Sequence, residues 1–124
     1  MKSYTDISQS KKLADILPLE SADMCYRYYS GGVITGYGDC VLAKSFITGK
    51  NVIQENDLPC WSLAALLEII KKCIGYSLQS LDTHTVFMNC ELGGKPYNIV
   101  TGIYDNPIDA CYEMILKLHE LNLL

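Results

Sequence analysis

The sequence predicts an α+β fold, a two-layer sandwich in which an antiparallel sheet carries about three helices packed mainly on one face. Three observations lead there. Apolar residues recur at helical spacing in three separate segments, one near each end and one in the middle. Two β-favouring runs flank Gly93-Gly94, the pattern of a hairpin, because glycine supplies the positive φ that tight turns need. A further run rich in aromatic residues, 24–29, lies between the first two helical segments. A chain of 124 residues is long enough for one compact core and short for two ordinary ones, so residues 1–124 are expected to form a single domain.

The first helix is predicted over residues 5–17. Ile7, Leu13, Ala14, Ile16 and Leu17 fall on one broad face, with Ser8, Gln9, Lys11, Lys12 and Asp15 opposite. Ser3 followed by Asp6 resembles a capping box, and Thr5 is an alternative cap. Pro18 stops the helix by pushing the residue before it out of the α region. After the polar connector Glu20-Ser21-Ala22-Asp23, a strand is predicted at Met24-Cys25-Tyr26-Arg27-Tyr28-Tyr29, bounded by Ser30-Gly31-Gly32. Val33-Ile34-Thr35 and Cys40-Val41-Leu42 read as short strand fragments broken by Gly36-Tyr37-Gly38-Asp39. Residues 44–57 mix turn formers with Val52-Ile53 and read as a hairpin or an irregular loop.

Pro59-Cys60-Trp61-Ser62 reads as the opening of a second helix that runs to about Cys73. Leu63, Leu66, Leu67 and Ile70 share a face that Ala64, Ala65 and Ile69 widen, leaving a narrow polar strip where Glu68 can pair with Lys71 or Lys72. Gly75 ends it. A short apolar segment, 76–81, precedes the predicted hairpin of 84–92 and 96–104, where Pro96 suits a strand start or an edge. The last helix is the best specified: Asn106 caps, Pro107 takes the first position, where its missing N–H costs nothing, and Asp109 meets the positive end of the dipole. Ile108, Cys111, Tyr112, Ile115 and Leu118 recur at spacings of three and four, and Glu113 with Lys117 makes an i,i+4 pair.

Composition narrows the function classes. Hydrophobic residues make up 49% of the chain and charged residues 19%, which excludes disorder as the main state. The net charge is −4 and the longest basic runs are Lys11-Lys12 and Lys71-Lys72; with no basic patch to neutralise phosphates, no nucleic-acid partner is expected. No apolar run approaches a membrane span, so no membrane association is expected either. The six cysteines Cys25, Cys40, Cys60, Cys73, Cys90 and Cys111 show no CxxC or CxxxC spacing and no histidine at ligand distance in sequence, which excludes a zinc motif. Met1-Lys2-Ser3-Tyr4-Thr5-Asp6 lacks the apolar stretch of a signal peptide, so the expectation is a cytoplasmic protein with reduced thiols and neither cofactor nor metal.

Three stretches carry a family resemblance: residues 4–24, the middle Pro59-Cys60-Trp61-Ser62-Leu63-Ala64-Ala65-Leu66-Leu67-Glu68, and the closing Tyr104-Asp105-Asn106-Pro107 through Leu121. They resemble a group of short uncharacterised proteins encoded by phages, prophages and mobile elements of gut bacteria. The likeness is least over residues 31–57 and the hairpin. The resemblance implies a cytoplasmic accessory protein of a mobile element and transfers no catalytic residue, cofactor or activity.

Two constellations are candidates for function. Cys60, placed before Trp61 at a helix start, would have its thiolate favoured by the helix dipole, with His84 opening a strand downstream and Asn98 or Asp105 beyond. Cys-Trp-Ser followed by a histidine on a hairpin strand is superficially similar to the nucleophile and base segments of papain-like cysteine peptidases. The short interval between Cys60 and His84 departs from that pattern, as does the lack of an upstream glutamine other than Gln54. The plainer reading makes Cys60 a small buried residue beside a core tryptophan. Paired acids, Glu20 with Asp23 and Asp105 with Asp109, lie beside helix ends, where caps and dipoles recruit carboxylates. The second constellation is a candidate interaction surface of Tyr26, Tyr28, Trp61, Tyr97 and Tyr104 among nine tyrosines in all, since tyrosine offers amphipathic contact area at little entropic cost. The expected function is therefore a non-enzymatic protein–protein interaction module, with a homodimer as one form, and a small cysteine hydrolase using Cys60 and His84 as the alternative.

Overall fold

A computed structural model describes residues 2–29, 36–45, 47–73, 76–81, 85–92, 95–100, 104 and 106–124. The class is α+β, as expected: among the described residues three α-helices accompany strands that pair only antiparallel. The strands divide between two three-stranded sheets. The chain forms two compact units, Tyr4–Ala65 and Met1–Ser3 with Leu66–Leu124.

The unit Tyr4–Ala65 opens with α1, Ile7–Ala14. Its cap is Asp6, not Ser3 or Thr5: the Asp6 carboxylate accepts from the Gln9 N–H at 2.7 Å, and the Gln9 side chain accepts from the Asp6 N–H at 3.1 Å. Thr5 does other work. It is buried, its N–H donates to the Trp61 carbonyl at 2.9 Å, and its hydroxyl accepts from the Trp61 N–H at 3.2 Å and shares a hydrogen with Ser10 at 2.8 Å. The helix ends three residues sooner than Leu17, with Asp15 as C-cap, and Pro18 leads into a single 3-10 turn, Leu19–Ser21.

Strand β1, Met24–Tyr29, forms with the bounds read from its aromatic run. It is central, with β2, Gly36–Leu42, on one side and β3, Leu58–Cys60, on the other. Two expectations are corrected here. Gly36-Tyr37-Gly38-Asp39 continues a strand that the glycines were expected to interrupt, because pairing with β1 occupies its backbone and Gly38 lies under the Tyr29 ring. A Cβ on Gly38 would stand 2.4 Å from a Tyr29 ring carbon. The second correction concerns Pro59 and Cys60, which belong to β3 and not to a helix: Met24 faces Cys60, Cys25 faces Pro59 and Tyr26 faces Leu58. Pro59 fits because β3 is outermost in its sheet. The bridge between Tyr4 and Ser62 extends the pairing beyond β3, and α1 lies against that strand. Within residues 44–57 the first half closes as a hairpin, where Lys44 bridges Asn51 and the Val52 N–H donates to the Ala43 carbonyl at 2.7 Å, and the rest leads through a turn into β3.

The second helix, α2, Leu63–Cys73, begins four residues later than its sequence pattern suggests. Asp23 anchors its start: one carboxylate oxygen accepts from the Ser62 N–H at 2.9 Å, the other binds the Ser62 hydroxyl, and that hydroxyl accepts from the Ala65 N–H at 3.3 Å.

The unit of Met1–Ser3 with Leu66–Leu124 holds β4, Tyr76–Leu81, β5, Thr85–Leu92, β6, Lys95–Val100, and α3, Pro107–Glu120. β5 is central, pairing Leu81 with Thr85 on one side and Leu92 with Lys95 on the other. The hairpin pairing is the one expected around Gly93-Gly94, which themselves lie outside the described residues. The apolar segment 76–81 proves to be a strand. α3 is built as its signals direct: the Asn106 side chain accepts from the Asp109 N–H at 2.9 Å, and Ile108, Ala110, Cys111, Met114, Ile115 and Leu118 are buried. It lies against β5. Lys2 pairs with Asp109 at 2.8 Å and Glu113 with Lys117 at 3.6 Å.

Candidate functional site

Cys60 sits in a strand, fully buried, and not at a helix N-terminus. The register explains its neighbours. Cys60 faces Met24 from one side of β1 and Cys40 faces Tyr26 from the other, so both side chains lie on the face of the sheet that carries Met24 and Tyr26. The Cys40 thiol donates to the Cys60 sulfur at 3.5 Å, and the Cys60 thiol donates to the Thr5 carbonyl at 3.3 Å. The same carbonyl accepts the Tyr26 hydroxyl at 2.7 Å. Tyr26, Leu58 and Cys60 form a buried cluster with Tyr4, Met24, Tyr37 and Cys40 packed against it, and the Tyr4 ring meets Tyr26 edge-on at 6.1 Å.

Burial drives the Cys40 thiol well above its ordinary value, and the adjacent Cys60 adds to the rise. Tyr26 is displaced the same way, first by burial and then by the two thiols. Cys25, on the opposite face of the sheet, is raised mainly by burial, and burial pushes Cys111 up to about 12. The helix-dipole argument for an activated Cys60 thus loses its basis, and its expected base, His84, lies outside the described residues.

The candidate interaction residues separate on the same page. Trp61 is fully buried, with its indole N–H donating to the Ser21 hydroxyl at 3.0 Å, so it belongs to the core. Tyr26 is core as well. Tyr28, two residues beyond Tyr26 on the same strand, is 37% exposed and edge-on to Tyr37, which itself packs against the Tyr26 cluster. Tyr104 is half-buried and lies outside β6; Tyr97 faces Cys90 across the β5–β6 pair.

Sequence reasoning missed two further tyrosines at this end of the β1–β2 ribbon, the exposed Tyr29 and the half-buried Tyr37. Tyr29 is 47% exposed, and Tyr37 meets Tyr28 edge-on with ring centres 5.4 Å apart. The Lys11 ammonium stands 5.6 Å from the Tyr37 ring centre, a cation over an aromatic face. Two signals were present: adjacent tyrosines at a strand end, and a Gly-Tyr-Gly motif whose small residues let rings lie close. Their pairing across more than seven positions of chain was not legible. Hydrophobic exposure continues at Leu42, Val52 and Ile47, the last at 96% in the hairpin closed by Lys44 and Asn51. Along its outer edge β2 meets no strand among the described residues.

Among the described residues the acidic pairs assemble no metal site. Asp23 is engaged with Ser62, Asp109 with Lys2 and Asn106, Glu20 is exposed, and Asp105 lies outside the described residues. Among the described residues there is no group of three or more His, Cys, Asp or Glu that could hold a metal ion, and no helix long and apolar enough to cross a membrane. Comparison with protein-family models, with curated proteins and with solved structures finds no match to this chain.

Proposed function

We propose that the protein is a non-enzymatic protein–protein interaction module, an accessory product of a phage or mobile element, that recognises its partner through the aromatic end of the β1–β2 ribbon. The observation that carries this reading is the exposure of Tyr28 and Tyr29 at the end of β1, on opposite faces of the ribbon, with the half-buried Tyr37 edge-on to Tyr28 and Lys11 over the Tyr37 ring. Rings that pack edge-on against each other present rigid amphipathic area, the kind that anchors interfaces. The outer edge of β2, which meets no strand among the described residues, adds backbone donors and acceptors to the same region. The assignment to mobile elements rests on the three sequence stretches alone. A second copy of the chain is the first partner to test.

Light scattering coupled to size exclusion, over a concentration series, is the direct experiment. The expected result is a concentration-dependent dimer that Tyr28→Ser combined with Tyr29→Ser returns to monomer. A strict monomer, whose set of proteins retained from bacterial cytoplasm is unchanged by the double substitution, removes the reading.

A further inference from the structure

We propose that Cys40 and Cys60 form a reversible redox couple that closes to an intramolecular disulfide on exposure to hydrogen peroxide and reopens with a dithiol reductant. The two sulfurs already touch, 3.5 Å apart, and a disulfide bond of about 2.05 Å requires them to approach by roughly another 1.5 Å. Their positions make the contact unusual. Cys40 is on β2 and Cys60 on β3, with β1 between them. Cys40 faces Tyr26 and Cys60 faces Met24, two residues apart along β1, so a flat sheet would hold their Cα atoms about 12 Å apart, against the roughly 4.4 to 6.8 Å of ordinary disulfides. Contact between the thiols therefore means that this sheet curls over the face they share. Closure would tighten that curl, and a bridge made under such strain is easily reduced, the property of labile and regulatory disulfides.

Access is asymmetric in the useful sense. Cys40 is partly exposed and Cys60 is fully buried directly behind it. The Cys40 thiolate attacks the peroxide, breaking the O–O bond to give a Cys40 sulfenic acid and hydroxide. The Cys60 sulfur then attacks the Cys40 sulfur and displaces the hydroxyl group, which leaves as water with the Cys60 proton. Two thiols are oxidised, one peroxide is reduced, and two waters form. The raised Cys40 thiol makes the first step slow at neutral pH, so the couple responds to sustained oxidant rather than to a brief pulse. Cys25 projects from the opposite face of the sheet and does not compete for Cys40.

The test is a peptide map of the full chain after hydrogen peroxide treatment at pH 8, with free thiols alkylated before proteolysis. The expected product is a Cys40–Cys60 linked peptide pair, short of two hydrogens, that dithiothreitol converts back to two alkylatable thiols. Cys25→Ser should leave its yield unchanged, and Cys40→Ser should abolish it while leaving Cys60 alkylatable only after unfolding. Because the decisive measurement uses the unsubstituted chain, a variant that fails to fold does not affect it. Recovery of Cys40 as sulfinic or sulfonic acid with Cys60 still a thiol, a Cys40–Cys40 link between two chains, or no change in either residue would overturn the proposal.

Discussion

The Asp57 carboxylate meets the Arg27 guanidinium at 2.7 Å and at the same time accepts the backbone N–H groups of Tyr28, at 3.0 Å, and Gln54, at 2.9 Å. One side chain thus ties the turn that leads into β3 to β1, next to the exposed Tyr28 and Tyr29. Burial alone would raise the Asp57 carboxyl, but the two N–H donors and the guanidinium outweigh it and hold the group below its ordinary value.

This arrangement sets a pH dependence. A carboxyl lowered by folding contributes stability that is complete above its unfolded value, near 4, and is lost as pH falls through the folded value. Asp57→Asn is expected to cost about 1 to 2 kcal/mol at pH 7, and the gap from the unsubstituted chain should shrink as the pH drops below about 4. Urea unfolding at pH 7 and at pH 3 measures both. An equal gap at the two values would show that the charge contributes nothing.

Gly38 has no side chain because the Tyr29 ring occupies the space. Gly38→Ala should push that ring aside. As the contact is with the far end of a surface side chain, the change in stability should stay within about 1 kcal/mol, while partner or self-association weakens. A variant that binds as before, with the Tyr29 ring resonances unmoved in NMR spectra, would contradict this packing.

Trp61 is the single tryptophan and is fully buried. Its fluorescence should be blue-shifted and almost unquenched by iodide in the native protein. Trp61→Ala should destabilise by about 3 to 5 kcal/mol. Trp61→Phe should cost less, since it mainly leaves the Ser21 hydroxyl without its indole donor. Native emission at the wavelength of free indole in water would place the ring elsewhere.

Asn106 satisfies the Asp109 N–H and also donates to the Asp109 carboxylate at 2.9 Å, holding it toward Lys2. Asn106→Ala is expected to cost about 1 kcal/mol, and Asn106→Ser much less, because serine also caps and sets no charge against the Asp109 carboxylate. Thermal unfolding followed by far-UV circular dichroism distinguishes the two; equal losses would mean that the cap is not what matters at this position.

The elements that could be read from the chain are those whose signals act within one turn. Asn106-Pro107 and Asp109 specify where α3 starts regardless of what surrounds it, and the aromatic run 24–29 became β1 with its bounds intact. The hairpin pairing of Leu92 with Lys95 follows from adjacent glycines in the same way. Periodicity misled where two structures share one pattern. Leu58–Cys60 precedes a strongly apolar helix and looks continuous with it, yet Met24, Cys25 and Tyr26 claim those residues for a sheet.

That distant pairing also governs the candidate site. Composition and spacing established an α+β chain with caps, turns and an abundance of tyrosine and cysteine, because propensities and hydrogen bonds over a few residues suffice for that. Which tyrosines stay at the surface, and which thiols touch, depended on register. Tyr26 is buried while Tyr28, two residues along the same strand, stands at the surface, and the pairing of β2 and β3 with β1 brings Cys40 to Cys60. Register is settled by burying one face of a sheet against partners far along the chain, and no local feature of this sequence encodes it.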